Sequence, residues 1–429
     1  MSGPCESQAA SMDWKQIRLA NGLRLLSVQR PHTPTVAVEV VVKAGSRYDR
    51  EASGGAHLLE HLVFKGTCSR SAREIYTAIE TVGGSIEGQT AKEYAHLYAH
   101  LPRQHFEIGV EMLADVLTSP RLAPEDFWSE KLVVLEEIHR MRDNTNFIYN
   151  LFAQALWPGD PLGYPIWGDA SNFAHLEYEE LLAFHARAYV AANTVVVVCG
   201  DVPHDAVAEV VGRRLATMPA GQELSPPAAA PAAAGAPRVA RALHLEKDLY
   251  QTHLLLGFPT VGIRHADQSA LLVIERVLGM GGSARLFQRL REEEKLVYNA
   301  LIAMATYMDA GYLAVYATCL PENAPRVQEL ILQEFDRLAQ SGVTREELAR
   351  AKSNYAGTLA RRFETNAAQA NVLGVQAVLH KAESVAESVA RIERVTQDDV
   401  GRVARTYFTP ERYLAATVGR DTSSGRKRC

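Results

Sequence analysis

The chain has 429 residues, 47% of them hydrophobic and 22% charged, with a formal net charge of -5 at neutral pH. That length exceeds one ordinary core and favours two domains of about 200 residues each, while the apolar content excludes wholesale disorder. A near-balanced, slightly acidic surface has no basic field to attract nucleic acid or anionic membrane, so neither is expected as a partner.

Residues 1–13 are small and polar, read as a disordered N-terminus, and lack the basic and apolar regions of a secretory signal. The first strong element is Thr35–Lys43, where Val36, Val38, Val40 and Val42 alternate as in a strand. A helical pattern follows around Gly54–Phe64, and a strand is expected at Tyr94–Leu101. Pro124, Glu125 and Asp126 suit the first turn of a helix reaching Arg142. An amphipathic helix at Tyr178–Tyr189 then leads into the apolar strand Thr194–Gly200.

A proline- and alanine-rich stretch at 223–238 carries no periodicity and reads as a linker. Beyond it, strands are expected at Thr252–Phe258 and Gly311–Cys319, and Thr344 with Glu347 forms a capping box at a helix start. Thr396–Tyr407 followed by Tyr413–Gly419 repeats the helix-then-strand ending of the first half, at an offset of roughly 220 residues. The expected organisation is a domain at 14–222, the linker, a homologous domain at 239–421 and a flexible tail at 422–429. Each domain is expected to be an α+β sandwich, a mostly antiparallel sheet packed with helices. No apolar run approaches the roughly 20 residues that cross a bilayer. The five cysteines, Cys5, Cys68, Cys199, Cys319 and Cys429, are scattered and never spaced Cys-x-x-Cys, which fits a reducing cytoplasm.

The chemistry concentrates in Gly54-Gly-Ala-His57-Leu-Leu-Glu60-His61-Leu-Val-Phe64. Two imidazoles at i and i+4 share a helix face with a carboxylate between them, a geometry that can hold one metal ion. Neutral imidazole suits zinc, and a catalytic site needs a third protein ligand while leaving a position for water, beside which Glu60 could serve as general base. Leu58, Leu59, Leu62 and Val63 mark the helix as largely buried, where two imidazoles and a carboxylate without an ion would be costly. The third ligand is expected from the helix containing Glu130, Glu136 and Glu137. Glu130 and Glu137 lie almost two turns apart and share a face, one as ligand and one as support, with Glu136 the competing ligand.

These residues resemble the inverzincins, the pitrilysin and mitochondrial processing peptidase family, in which His-x-x-Glu-His is followed about 75 residues on by a Glu in a Val-Val-Leu-Glu-Glu-Ile-like helix. The resemblance implies two similar halves closing as a clamshell and a zinc-dependent endopeptidase that acts on short or unfolded peptides. It assigns His57, His61 and Glu137 as ligands of one Zn2+ per chain, Glu60 as base and Glu130 as the acid behind the ligands. Within Arg285–Tyr298 it assigns Arg291 and Tyr298 to hold the substrate, both being donors able to stabilise an oxyanion. The corresponding stretch near Glu275–Gly279 has no histidine, so no second metal is expected, and the glycines at 279–282 read as a turn rather than a phosphate loop.

The resemblance also makes Gly83–Thr90 an edge strand to which a peptide adds as a further strand. Gly84, Ser85, Glu87, Gly88, Thr90 and Phe64 are the expected substrate contacts. Glu87-Gly88 stands where the family usually has Asn-Ala, and Glu87 is expected to favour basic or small side chains. His96 and His100 fall on one strand face by alternation alone. Chains of this length resemble half of the long single-chain enzymes, so a homodimer or a heterodimer with a related chain is expected. The rival reading is a non-catalytic or half-active subunit of a heterodimeric processing complex. A purely structural zinc module would need four protein ligands and would have no use for Glu60.

Overall fold

The computed structural model describes residues 14–49, 54–226 and 241–420. The expected N-terminus at 1–13, the tail at 422–429 and most of the linker lie outside the described residues.

Six strands form the first sheet: β1 (Trp14–Arg18), β2 (Arg24–Gln29), β3 (Thr35–Val42), β4 (Ser85–Thr90), β5 (Ala95–Pro102) and β6 (Thr194–Gly200), in the order β1-β2-β6-β3-β5-β4. All neighbours are antiparallel except β2 and β6. The valine run of β6 and the valines of β3 are buried on both faces, as continuous apolar strands at a sheet centre should be. The second sheet contains β7 (Arg241–Glu246), β8 (Thr252–Val261), β9 (Val297–Thr306), β10 (Ala310–Cys319) and β11 (Leu414–Gly419), ordered β7-β11-β8-β10-β9. This repeats β2-β6-β3-β5-β4 position for position, with the parallel pair, here β7 and β11, in the same place. The duplication seen at the two chain halves therefore extends to the sheet topology.

Two compact units result, and they do not follow chain order. The first takes Met1–Ile138, Pro165–Pro227 and Leu359–Ser388, and the second His139–Tyr164, Ala228–Thr358 and Val389–Cys429. Where the sequence suggests a single division at the linker, packing crosses it twice. In the first unit the helix Asn366–Leu379 covers β3 and β6. It comes close because Gly374 lacks a Cβ, which would lie 2.8 Å from Val41 Cγ2 and 3.2 Å from Val197 Cγ2. In the second unit the helix Phe147–Leu156 packs Ile148 and Phe152 into a core with Leu255, Tyr312 and Ala416. Each sheet would otherwise leave an apolar face exposed to water.

The remaining helices of the first unit bury their apolar faces against the other side of its sheet, in one core that includes Leu58, Leu62, Val38, Val40, Leu97 and Val134. Among the described residues no helix is long and apolar enough to cross a membrane.

Candidate metal centre and substrate groove

The helix Gly55–Val63 turns Leu58, Leu59, Leu62 and Val63 into the core, leaving His57, Glu60 and His61 on its more open face. The two imidazole rings meet nearly edge to face, with centroids 4.8 Å apart. Glu137 reaches them from the helix Pro124–Asp143, its Oε2 lying 3.9 Å from Nε2 of both histidines. One ligand atom from each of the three residues fits within a 4.8 Å span. No other such group of His, Cys, Asp or Glu occurs among the described residues. Glu136, the competing ligand, points to solvent and is not part of the group.

The surroundings set the protonation of these groups. Buried Glu130 accepts a hydrogen bond from His61 Nδ1 at 3.1 Å, which leaves His61 Nε2 free to ligate. The second oxygen of Glu130 lies 2.6 Å from Lys65 Nζ. Burial, aided by the neighbouring His61, lowers His57 to about 4, so its ring is neutral at physiological pH. His57 Nδ1 is buried without a hydrogen-bond partner. Two imidazole nitrogens and one carboxylate oxygen converging with a side open to solvent are the donor set of a catalytic zinc site, and these residues fit that ion.

Glu60 stands beside this group rather than in it. Thr90 Oγ1 donates to Glu60 Oε2 at 2.7 Å. Burial raises the Glu60 carboxyl above its ordinary value, opposed by the Thr90 hydroxyl, as suits a group that must take up a proton.

A groove of about 570 Å³ opens from Glu60 and His61 and runs between β4 and the helix Ala72–Glu80. Its β4 wall holds Gly84, Ser85, Glu87 and Gly88, and Phe64 joins them from the zinc-site side. Thr90, also expected to touch substrate, instead lies buried and is committed to Glu60. Among the described residues β4 pairs only with β5, which leaves its other edge without a strand partner there. At Gly88 the approach is tight, since a Cβ there would lie 2.8 Å from Glu60 Cγ and 2.9 Å from Phe64 Cε2. Lys65, Ala72, Tyr76 and Glu80 also line the groove. Sequence reading missed them, although Ala72, Tyr76 and Glu80 recur every fourth residue on one helix face, which could have indicated a shared surface.

Glu87 turns to the other face of the sheet, where it accepts from the Tyr98 hydroxyl at 2.7 Å. On that face His96 and His100 both meet the buried Glu39 carboxylate, His100 Nε2 at 3.1 Å. They therefore satisfy a buried acid, which burial pushes up to about 6. Arg291 and Tyr298 belong to the second unit, at the helical turn Gln288–Glu293 and on edge strand β9. The Arg291 guanidinium lies 4.9 Å from the Phe287 ring centroid and 5.0 Å from that of the exposed Tyr298, a stacked arrangement that holds both in place. In the turn after Gly279, Arg285 forms a paired contact to Glu347 at 2.7 Å through two nitrogens, a structural tie and no phosphate cradle.

A metal-ready triad of two histidines and a glutamate, with a spare acid at its open side and a free strand edge alongside, defines a metallohydrolase-type site on a duplicated α+β fold. Comparison with known proteins makes the class specific. Residues 24–170 match the family described as Insulinase (Peptidase family M16), and residues 175–355 match the Peptidase M16 inactive domain. An uncharacterized zinc protease of Mycobacterium tuberculosis is 34% identical over 419 residues, 96% of this chain and 94% of that protein. Another from Bacillus subtilis is 29% identical over 407 residues, 94% of this chain and 97% of that protein. The crystal structure of a protease from Helicobacter pylori superposes with a TM-score of 0.88 at 24% identity, covering 95% of this chain and 99% of that one. The chain belongs to peptidase family M16.

Proposed function

We propose that the chain is a cytoplasmic zinc endopeptidase that cleaves short or unfolded peptides, leader or targeting segments among them. The observation that carries this reading is the convergence of His57, His61 and Glu137 within a 4.8 Å span, with Glu60 left over beside them. Zinc held by those three side chains would supply Lewis acidity and a more acidic water. Glu60 receives the proton of the attacking water at its carboxylate and passes it to the departing amine. Thr90 holds Glu60 in line, and Glu130 fixes the tautomer of His61. The free edge of β4 binds substrate main chain as an added strand, which restricts the enzyme to extended segments. Arg291 and Tyr298 donate hydrogen bonds to the substrate carbonyl. The enzyme works as a homodimer or as a heterodimer with a related chain, holding one zinc per chain.

The test measures zinc content and cleavage of an internally quenched peptide by wild type and Glu60→Gln. The expected result is one zinc per chain in both proteins and a fall in kcat of about 10²–10⁴ in the variant. A variant that holds zinc and cuts as fast as wild type would falsify the mechanism. If wild type binds zinc but cuts only after a related chain is added, the half-active subunit reading replaces it.

A further inference from the structure

The zinc-site helix begins without a cap of its own. Its N-cap residue is Gly54, at φ 75°, which has no side chain, and its first turn contains no acid. The leading N–H groups of a buried helix need acceptors. One comes from outside the helix, because the buried Asp49 carboxylate accepts from Ala56 N with both oxygens, at 3.0 and 3.2 Å. The capped N–H immediately precedes His57.

Asp49 is itself held by the segment before it. Ser46 N donates to Ala91 O at 3.0 Å and Arg47 N to Lys92 O at 2.7 Å. Gly45 lies so close to the same turn that a Cβ would fall 2.4 Å from Ala91 O. The Arg47 guanidinium, with no exposed surface, pairs with the buried Glu93 carboxylate. Residues 91–93 directly continue β4, whose Thr90 holds Glu60. A single buried clasp therefore ties the substrate-strand end, the base and the start of the metal helix together.

The structure assigns Asp49 as a positioning residue for the metal centre, setting the axial place of the helix and with it the reach of His57 and His61 toward Glu137. This rests on the zinc reading above but not on turnover. Asp49 touches neither ion nor substrate and acts through the Ala56 backbone.

The test uses the full-length chain and compares wild type, Asp49→Ala, Asp49→Asn and Asp49→Leu. Zinc affinity is measured by competition with a chromophoric chelator, ligand geometry from the visible spectrum of the cobalt-substituted protein, and folding by circular dichroism. Asp49→Ala is expected to fold and to bind zinc about 10–100-fold more weakly, with a weakened cobalt spectrum. Asp49→Asn retains an acceptor oxygen and is expected to restore affinity to within about 3-fold of wild type, whereas Asp49→Leu, which fills similar space without an acceptor, is expected to bind zinc as weakly as the alanine variant, an outcome that a purely bulk packing role would not produce. If the alanine variant does not fold, Asp49→Ser, which keeps polarity but lacks the reach to Ala56, takes its place with the same expectation. A folded Asp49→Ala or Asp49→Ser protein with wild-type zinc affinity and an unchanged cobalt spectrum overturns the assignment alone. A wild-type chain that binds no zinc overturns this assignment and the proposed function together.

Discussion

Placing a side chain at Gly88 should disable the base while sparing the metal. A Cβ at this position would sit 2.8 Å from Glu60 Cγ, 2.9 Å from Phe64 Cε2 and 3.3 Å from Glu60 Oε1. Optimal carbon–carbon separation is about 3.5–4.0 Å, so Glu60 and Phe64 must each retreat by roughly 0.6 Å or more. Both are side chains and can yield, but Glu60 yields only by stretching the 2.7 Å hydrogen bond from Thr90. Overpacking of this kind costs about 1–3 kcal/mol of stability, and a misplacement of about 1 Å at a reacting group costs about 10²-fold in rate. Gly88→Val, which adds two more methyl groups, is expected to lower kcat about 100-fold. Gly88→Ala should lower it less, since alanine is usual here in the family that the motif resembles. His57, His61 and Glu137 lie outside these contacts, so zinc stoichiometry should stay at the wild-type value in both variants. Quenched-peptide kinetics with a parallel metal assay decide the matter, and a valine variant within about 3-fold of wild-type kcat refutes the steric argument.

Removing the hydroxyl that favours ionised Glu60, in Thr90→Val, should shift the acidic limb of the kcat/KM profile to higher pH, and an unmoved limb would dissociate Thr90 from the base. Glu80 lines the groove, so Glu80→Gln should cut the preference for lysine over norleucine in a peptide series by about 5–10-fold. Equal ratios before and after would show that the groove does not select charge. Burial lowers His185 to about 4, from 6.5, so the unfolded chain takes up a proton there that the folded chain refuses. Stability contributed by its neutral form is therefore present above pH 6.5 and lost as pH falls from 6.5 toward 4. His185→Gln should reduce the acid-side slope of unfolding free energy by up to about 1.4 kcal/mol per pH unit in that window, and identical slopes in denaturant titrations at pH 7 and 5 would count against it.

The elements that sequence located most closely are those whose pattern is local. β6 and β3 carry apolar runs that only a sheet centre can bury, and their bounds match expectation to within a residue. The spacing of His57, Glu60 and His61 is likewise fixed by one helix, so their common face could be read directly. Glu137 is different, because choosing it over Glu136 depends on which way the helix Pro124–Asp143 faces. Periodicity favoured a face shared with Glu130, and the structure places Glu130 behind His61 and Glu137 in front of it. The exchange of helices, with Asn366–Leu379 in the first unit and Phe147–Leu156 in the second, could not be read at all. An amphipathic helix records that it needs a sheet but not which of two similar sheets it will cover.

The same limit explains why Asp49 escaped notice. A helix cap is sought in the residue before the first turn, where this chain has only Gly54. The acceptor came from seven residues upstream of Ala56, and its placement depends on Arg47 meeting Glu93, forty-six positions away. Such a partnership has no spacing rule, because the fold rather than the helix brings the two charges together. A buried Arg–Glu pair is a poor source of net stability, since desolvation offsets most of the attraction. It is a good source of geometry, because breaking it leaves a buried charge unmatched and so penalises every alternative placement of the segment. In this chain that penalty falls on the one segment that fixes where the metal helix begins.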